Sequence, residues 1–171
     1  TVFIAERMPS DSAMVFINVG IAGAANLELG TVWRAHKVSA RSTGKVWYPG
    51  AMKFRQCGSA GLVTVEQPEL EYPGDDLFDM EAAGFFEMAS KFSPLELVQS
   101  LKIISDNSQD DIQSIDKHRV KQWVGNAIEI IDAFQTQLMK LRDAGDDCLP
   151  PGEWEETITS TLRFSVTQTH Q

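Results

Sequence analysis

The sequence predicts one α/β domain whose mostly parallel or mixed central sheet is flanked by helices. Two observations indicate this fold class: short apolar, β-branched runs recur along the chain, and segments with helical periodicity lie between and after them. At 171 residues and 43% hydrophobic content, the chain is long and apolar enough to bury a single core. We expect the domain to span residues 1–145 and a C-terminal extension to follow the Pro-rich break, over 146–171.

Four strands are predicted in order. The apolar run Ala13–Val19 lies between polar residues and glycines, which is typical of a buried strand. Residues Val32–Val38 alternate between two faces. The run "GLVTV" is β-branched and stops before Pro68, and a fourth apolar run extends from about Val98 to Ile104.

Two helices are predicted. The segment "EAAGFFEMASKF" places Ala83 and Phe86 on one stripe. The segment from Lys117 to about Arg142 has the three- and four-residue spacing of a long amphipathic helix that packs on a sheet. Its expected apolar positions are Val120, Trp123, Val124, Ala127, Ile128, Ile131, Phe134, Leu138 and Leu141.

Two segments lack such patterns. The opening "TVFIAERMPSDSA" is interpreted as a helix end that runs into a loop, and "RSTGKVWYPGAMKFRQCGSAG" as a long loop, because it is rich in glycine and polar residues.

Charge and composition exclude several classes of partner. A net charge of −9 and a pI near 4.7 disfavour a surface that binds phosphate backbones, so no nucleic acid is expected. No apolar run reaches the roughly 18 residues of a membrane span. Cys57 and Cys148 lack metal-ligand spacing, and His36 and His118 are expected on the surface, so no metal site is predicted. The cysteine usage fits a reducing cytoplasm.

Three short segments fall where strands are predicted to end, which is where open α/β sheets bind ligands. They are "NVGIAGA", "DMEAAG" and "ISDN". In the first, the glycine-rich turn Gly20, Ile21, Ala22, Gly23 allows a ligand to approach the backbone closely. Taken alone, this weak signal favours a tight strand-to-helix turn with no ligand.

The acidic residues of the other two segments also have ordinary explanations. Glu81 precedes a helix, where a negative charge interacts favourably with the helix dipole. Asp106 lies in "SDN", whose residue types are common in turns and helix N-caps. Taken singly, neither carboxylate indicates a function.

Together, in this order and with these intervals, the three segments resemble the purine nucleoside phosphorylase and uridine phosphorylase superfamily. The branch that is most similar in motif is that of the methylthioadenosine/S-adenosylhomocysteine nucleosidases. The resemblance covers about Met14 to Leu141. It implies cleavage of the N-glycosidic bond of a purine nucleoside or thionucleoside, with no cofactor and with either water or phosphate as co-substrate. The alternative is a non-catalytic nucleoside-binding or regulatory protein of the same fold.

The resemblance also implies roles for individual residues. Met80 and Glu81 would face the ribose, and the Glu81 carboxylate would accept hydrogen bonds from its 2′ and 3′ hydroxyls. Asp79 would then point the other way, since side chains alternate along a strand. Asp106 would be the acid that donates to N7 of the leaving purine.

Ser105 and Asn107 would support Asp106, and the turn from Gly20 to Gly23 would lie near the ribose and the nucleophile.

The sequence departs from the superfamily pattern in two places near the expected site. Ile21 stands where a hydroxyl residue is usual, which favours water over phosphate. The stretch before "DMEAAG" is shortened, and Trp47, Tyr48 and Phe54 are the candidates to replace the residue that stacks on the base.

A third departure is at the front, where nothing matches the leading strands of the superfamily. The chain is therefore expected to be N-terminally incomplete, with an uncovered strand edge at Met14–Val19. Because an open apolar edge favours pairing with another chain, we expect a homodimer or larger homo-oligomer.

Overall fold

A computed structural model describes residues 2–5, 13–109 and 117–146. Apart from its first residue, the predicted extension at 146–171 lies outside the described residues. The elements are β1 (Val2–Ala5), β2 (Phe16–Ala24), β3 (Val32–Ala40), β4 (Val46–Trp47), β5 (Gly58–Thr64), β6 (Leu77–Asp79), α1 (Ala82–Ala89), a 3₁₀ turn (Leu95–Leu97), β7 (Val98–Asn107) and α2 (Lys117–Asp146).

The sheet is mixed, which is one of the two forms predicted, the other being mostly parallel. It closes on itself. β2 pairs with β7 in parallel, β7 with β3 antiparallel, β3 with β5 in parallel, β5 with β6 in parallel, and β6 with β2 antiparallel. These five strands form a cycle in which each has two neighbours. Such closure leaves none of the five with an entirely free edge.

The predicted open edge at Met14–Val19 is wrong. β7 pairs along the whole of β2, and the other edge of β2 is shared by β1, opposite Phe16–Val19, and β6, opposite Gly23–Ala24. The physical reason is that "VFIA" at the front of the chain is β-prone and pairs with this edge. For Val2–Ala5, the interpretation as a helix end is therefore also wrong.

The predicted long loop after β3 contains more structure than its glycines indicated. Val46–Trp47 forms β4 and pairs back onto Val38 and Ser39 in a hairpin, and β5 begins at Gly58. Both β4 and the start of β5 pair with β3, and this pairing stabilises them although their local sequence is typical of a loop.

Both helices were predicted, and they cover different apolar clusters. α1 contributes Ala82, Phe86 and Ala89 to one cluster. The buried apolar residues of α2, which join the other cluster, are Ala127, Ile131, Phe134 and Leu138.

Ile128 and Leu141 were predicted in the α2 stripe but are exposed by 51% and 41%. Ile128 lies about a quarter turn away from the buried stripe. None of the helices within the described ranges combines the length and apolar character that crossing a bilayer requires.

Candidate functional site

A cavity of about 420 Å³ lies where β2, the end of β6, the end of β7 and α2 meet. This volume is within the range of small-molecule pockets. The predicted site residues that line it are Gly20, Ile21, Ala22, Gly23, Met80, Glu81, Ser105 and Asp106. The fold thus brings the three sequence segments together around one space.

The glycine segment is part of a strand, so the prediction of a turn at Gly20–Gly23 is wrong. Its backbone groups pair with β7 and continue the ladder to Ala24. The ladder is irregular at one point: Ala22 pairs with Ile104 and Gly23 with Asp106, which leaves Ser105 as an extra residue. A bulge of this kind changes the direction of the side chains beside it. Consecutive residues Ser105 and Asp106 consequently both line the cavity.

Gly23 has a steric role in this arrangement. A Cβ atom at this position would overlap the carboxylate of Asp106 and would lie 2.5 Å from Cε1 of Tyr72. Because real contacts of a Cβ are much longer, only glycine allows Asp106 and Tyr72 to approach the strand this closely.

Asp106 is buried, with 4% exposure, and lies within β7. It is therefore not a turn or N-cap residue, which was the ordinary explanation. Each of its carboxylate oxygens accepts a hydrogen bond from a hydroxyl: Oδ2 from Tyr72 and Oδ1 from Ser105. A buried carboxyl group needs such partners, since an unsatisfied one is costly.

Asp79, and not Glu81, has the structural role at the N-terminus of α1. It is buried and accepts hydrogen bonds from the Ala82 N–H (2.9 Å) and the Thr64 hydroxyl (2.7 Å), and its Oδ2 lies 2.7 Å from Nζ of Lys102. The Ala82 N–H belongs to the first turn of α1, so Asp79 satisfies the helix N-terminus.

Glu81 is the N-cap residue of α1 by position, but its side chain makes no capping hydrogen bond. It is exposed and lines the cavity, so its carboxylate is available to a ligand. Met80 and Ile21, which are 53% and 39% exposed, also line the cavity.

Sequence reasoning missed Tyr72, which lies in the shortened segment between β5 and β6. Its ring is buried beside that of Phe78, with centroids 6.1 Å apart, and both rings line the cavity. The available signal was that Tyr72 is the one aromatic residue between Val65 and Leu77.

The three aromatic residues named as base-stacking candidates lie elsewhere. Trp47 packs near Phe86, and Phe54 packs against Phe134. Tyr48 is 64% exposed.

Asn107 is also outside the cavity. Its amide donates to the Leu27 carbonyl (3.0 Å) and its Oδ1 accepts from the Gln109 N–H (2.9 Å).

Four carboxyl groups line the cavity, and two of them are paired with cations: Glu69 with Arg41 and Asp79 with Lys102. The charged lining residues of the cavity are Glu69, Asp79, Glu81 and Asp106, and the described lining includes no Lys, Arg or His. The hydrogen bond from Arg41 (2.6 Å) holds the pKa of Glu69 below its usual value. Among the described residues, no three His, Cys, Asp or Glu side chains gather closely enough to hold a metal ion.

Comparison with solved structures gives similar folds. The MTAN of Chlamydia trachomatis matches with a TM-score of 0.54 and 23% identity, over 71% of this chain and 63% of that one. A variant of that protein bound to MTA matches with a TM-score of 0.54 and 24% identity, over 68% of this chain and 64% of that one. The Arabidopsis thaliana 5′-methylthioadenosine nucleosidase matches with a TM-score of 0.53 and 16% identity, over 73% of this chain and 60% of that one.

The chain therefore spans less than two thirds of the length of these proteins. No protein-family model and no curated protein matches the sequence. The predicted fold class is confirmed: the mixed sheet flanked by helices is similar to the fold of these nucleosidases.

Proposed function

We propose that the cavity binds a purine nucleoside or thionucleoside and that the protein cleaves its N-glycosidic bond with water. The observation that carries this proposal is that an uncommitted carboxylate, Glu81, and a buried one, Asp106, line the same cavity. One solved structure of similar fold is bound to MTA and another to adenine, which supports this class of ligand.

The two carboxyl groups fit the two requirements of the reaction. Glycosidic cleavage passes through an oxocarbenium-like sugar, so the sugar must be oriented and the charge on the departing base neutralised. Glu81 accepts hydrogen bonds from the ribose hydroxyls. Asp106, in its protonated form, donates to N7 of the purine as a general acid. Tyr72 and Phe78 supply apolar ring surface to the cavity.

The charge of the cavity supports water rather than phosphate as the nucleophile. A phosphate dianion would lie near the Glu81 and Asp106 carboxyl groups, while the cations beside the cavity, Arg41 and Lys102, are already paired with Glu69 and Asp79. Ile21 offers no hydroxyl to a phosphate and is 39% exposed at this site.

We expect Glu81→Gln to weaken nucleoside binding about 10- to 100-fold. Removing a charged acceptor from hydroxyl hydrogen bonds costs roughly 1.5–3 kcal/mol. Calorimetric titration with methylthioadenosine, with and without Glu81→Gln in the Asp106→Asn background where cleavage is slowed, measures the loss. Titration with adenine, which has no sugar, should give the same affinity with and without Glu81→Gln. Glu87→Gln on the same helix is the matched control, because Glu87 is exposed and pairs with Lys45. Equal weakening of nucleoside and free base would assign Glu81 to the fold.

The proposed reaction is tested by chromatography of adenosine, inosine and methylthioadenosine after incubation with the full chain, with and without phosphate. Release of free base that does not depend on phosphate is expected. Release only with phosphate would indicate a phosphorylase.

A second candidate is a nucleoside-binding protein that does not cleave its ligand. It is favoured by the contacts of Asp106, whose two oxygens both already accept hydrogen bonds from Tyr72 and Ser105. Tight nucleoside binding without release of base would support this candidate.

We also propose that the protein forms a homodimer through the mouth of the cavity. The strand edge that first suggested self-association is paired, but Met80 and Ile21 leave apolar surface exposed there. Light scattering should give twice the chain mass, and the monomer mass at micromolar concentration would refute the dimer.

A further inference from the structure

Tyr72 connects the segment between β5 and β6 to Asp106. Both side chains are buried, with 5% and 4% exposure, and the phenolic hydroxyl donates to Oδ2. Ser105 donates to the other oxygen, Oδ1. The carboxylate is thus held at both oxygens by hydroxyls from two different parts of the chain, which restricts its rotation.

The backbone at Tyr72 shows that this placement is maintained against local preference. Its φ of 45° lies in the left-handed region, and it is the one non-glycine residue with positive φ in the described ranges. A bulky side chain is rare there, and such strain persists where the surroundings determine it and clusters at functional sites.

Two surrounding features determine the position of Tyr72. Gly23 leaves the space that the tyrosine ring occupies, since a Cβ there would lie 2.5 Å from Cε1. The same segment is fixed by Glu69, which pairs with Arg41 at 2.6 Å and accepts the N–H groups of the two residues that follow it.

We propose that Tyr72 is a positioning residue that holds Asp106 in the orientation required to donate to the leaving base. This inference rests on the proposed function. Tyr72 acts through Asp106 and is not itself the acid.

The test is Tyr72→Phe in the full chain, which keeps the ring and removes only the hydroxyl. Release of adenine from methylthioadenosine should fall roughly tenfold in kcat with KM unchanged, as expected for losing one hydrogen bond that orients the acid. Tyr48→Phe is the matched control, because Tyr48 is 64% exposed and outside the cavity.

A double-mutant cycle separates positioning from a merely structural role. If Tyr72 acts through Asp106, Tyr72→Phe should cause no further loss of residual activity in the Asp106→Asn background. An equal fractional loss in both backgrounds, or an unchanged kcat in the single variant, would overturn the inference while leaving the proposed function intact. Absence of base release by the wild-type protein would overturn both.

Discussion

Asp106→Asn should lower the release of purine base by roughly 10² to 10⁴, the usual contribution of general acid catalysis. An amide has nearly the shape of the carboxyl group but has no acidic proton to deliver to N7. The measurement is kcat for adenine release from methylthioadenosine. Nucleoside affinity should stay close to that of the wild-type protein, because the sugar contact is assigned to Glu81.

Asp132→Asn on the exposed side of α2 is the control for this variant, since it makes the same chemical change away from the cavity. Wild-type rates in both variants would mean that Asp106 serves only to satisfy the Tyr72 and Ser105 hydroxyls. Loss of nucleoside binding in Asp106→Asn alone would instead favour the non-cleaving candidate.

The parts of the site that could be predicted are those coded locally. Met80 and Glu81 lie between a short strand and a helix, and Asp106 lies near the end of a buried apolar run. Because open α/β sheets bind ligands where their strands end, all three residues were expected at one site, and all three line the cavity. The prediction that Asp79 points away from the site is wrong, because Asp79 lines the same cavity as Glu81 and residues two apart on a strand share a face. Its contacts with the Ala82 N–H and Lys102 are what distinguish Asp79 from Glu81.

The parts that could not be predicted depend on partners distant in sequence. Gly20–Gly23 has the composition of a turn, but pairing with β7 extends it as a strand. The bulge at Ser105 depends on how β7 pairs with Ala22 and Gly23 of β2, which the sequence of β7 alone does not show. Tyr72 reaches Asp106 across 34 positions of sequence, and no motif marks it.

Lys102 provides the second large expected effect. Its ammonium group is 2.7 Å from Oδ2 of Asp79, and the two side chains are only 1% and 3% exposed. Lys102→Met keeps most of the volume but leaves the Asp79 carboxylate buried without its counter-charge. Breaking a buried pair from one side typically costs about 3–5 kcal/mol. We expect a loss of this size in the free energy of unfolding, measured by urea denaturation.

Two further variants test the cause of that loss. Asp79→Asn in the Lys102→Met background removes the unpaired charge and keeps an acceptor for the Ala82 N–H or the Thr64 hydroxyl, so it should recover a large part of the stability. Lys45→Met removes a lysine that pairs with Glu87 on the surface, and its stability should stay close to that of the wild-type protein. If Lys102→Met were no less stable than Lys45→Met, the buried pair would not hold the start of α1. The position of Glu81 at the cavity would then depend on packing of the helix alone.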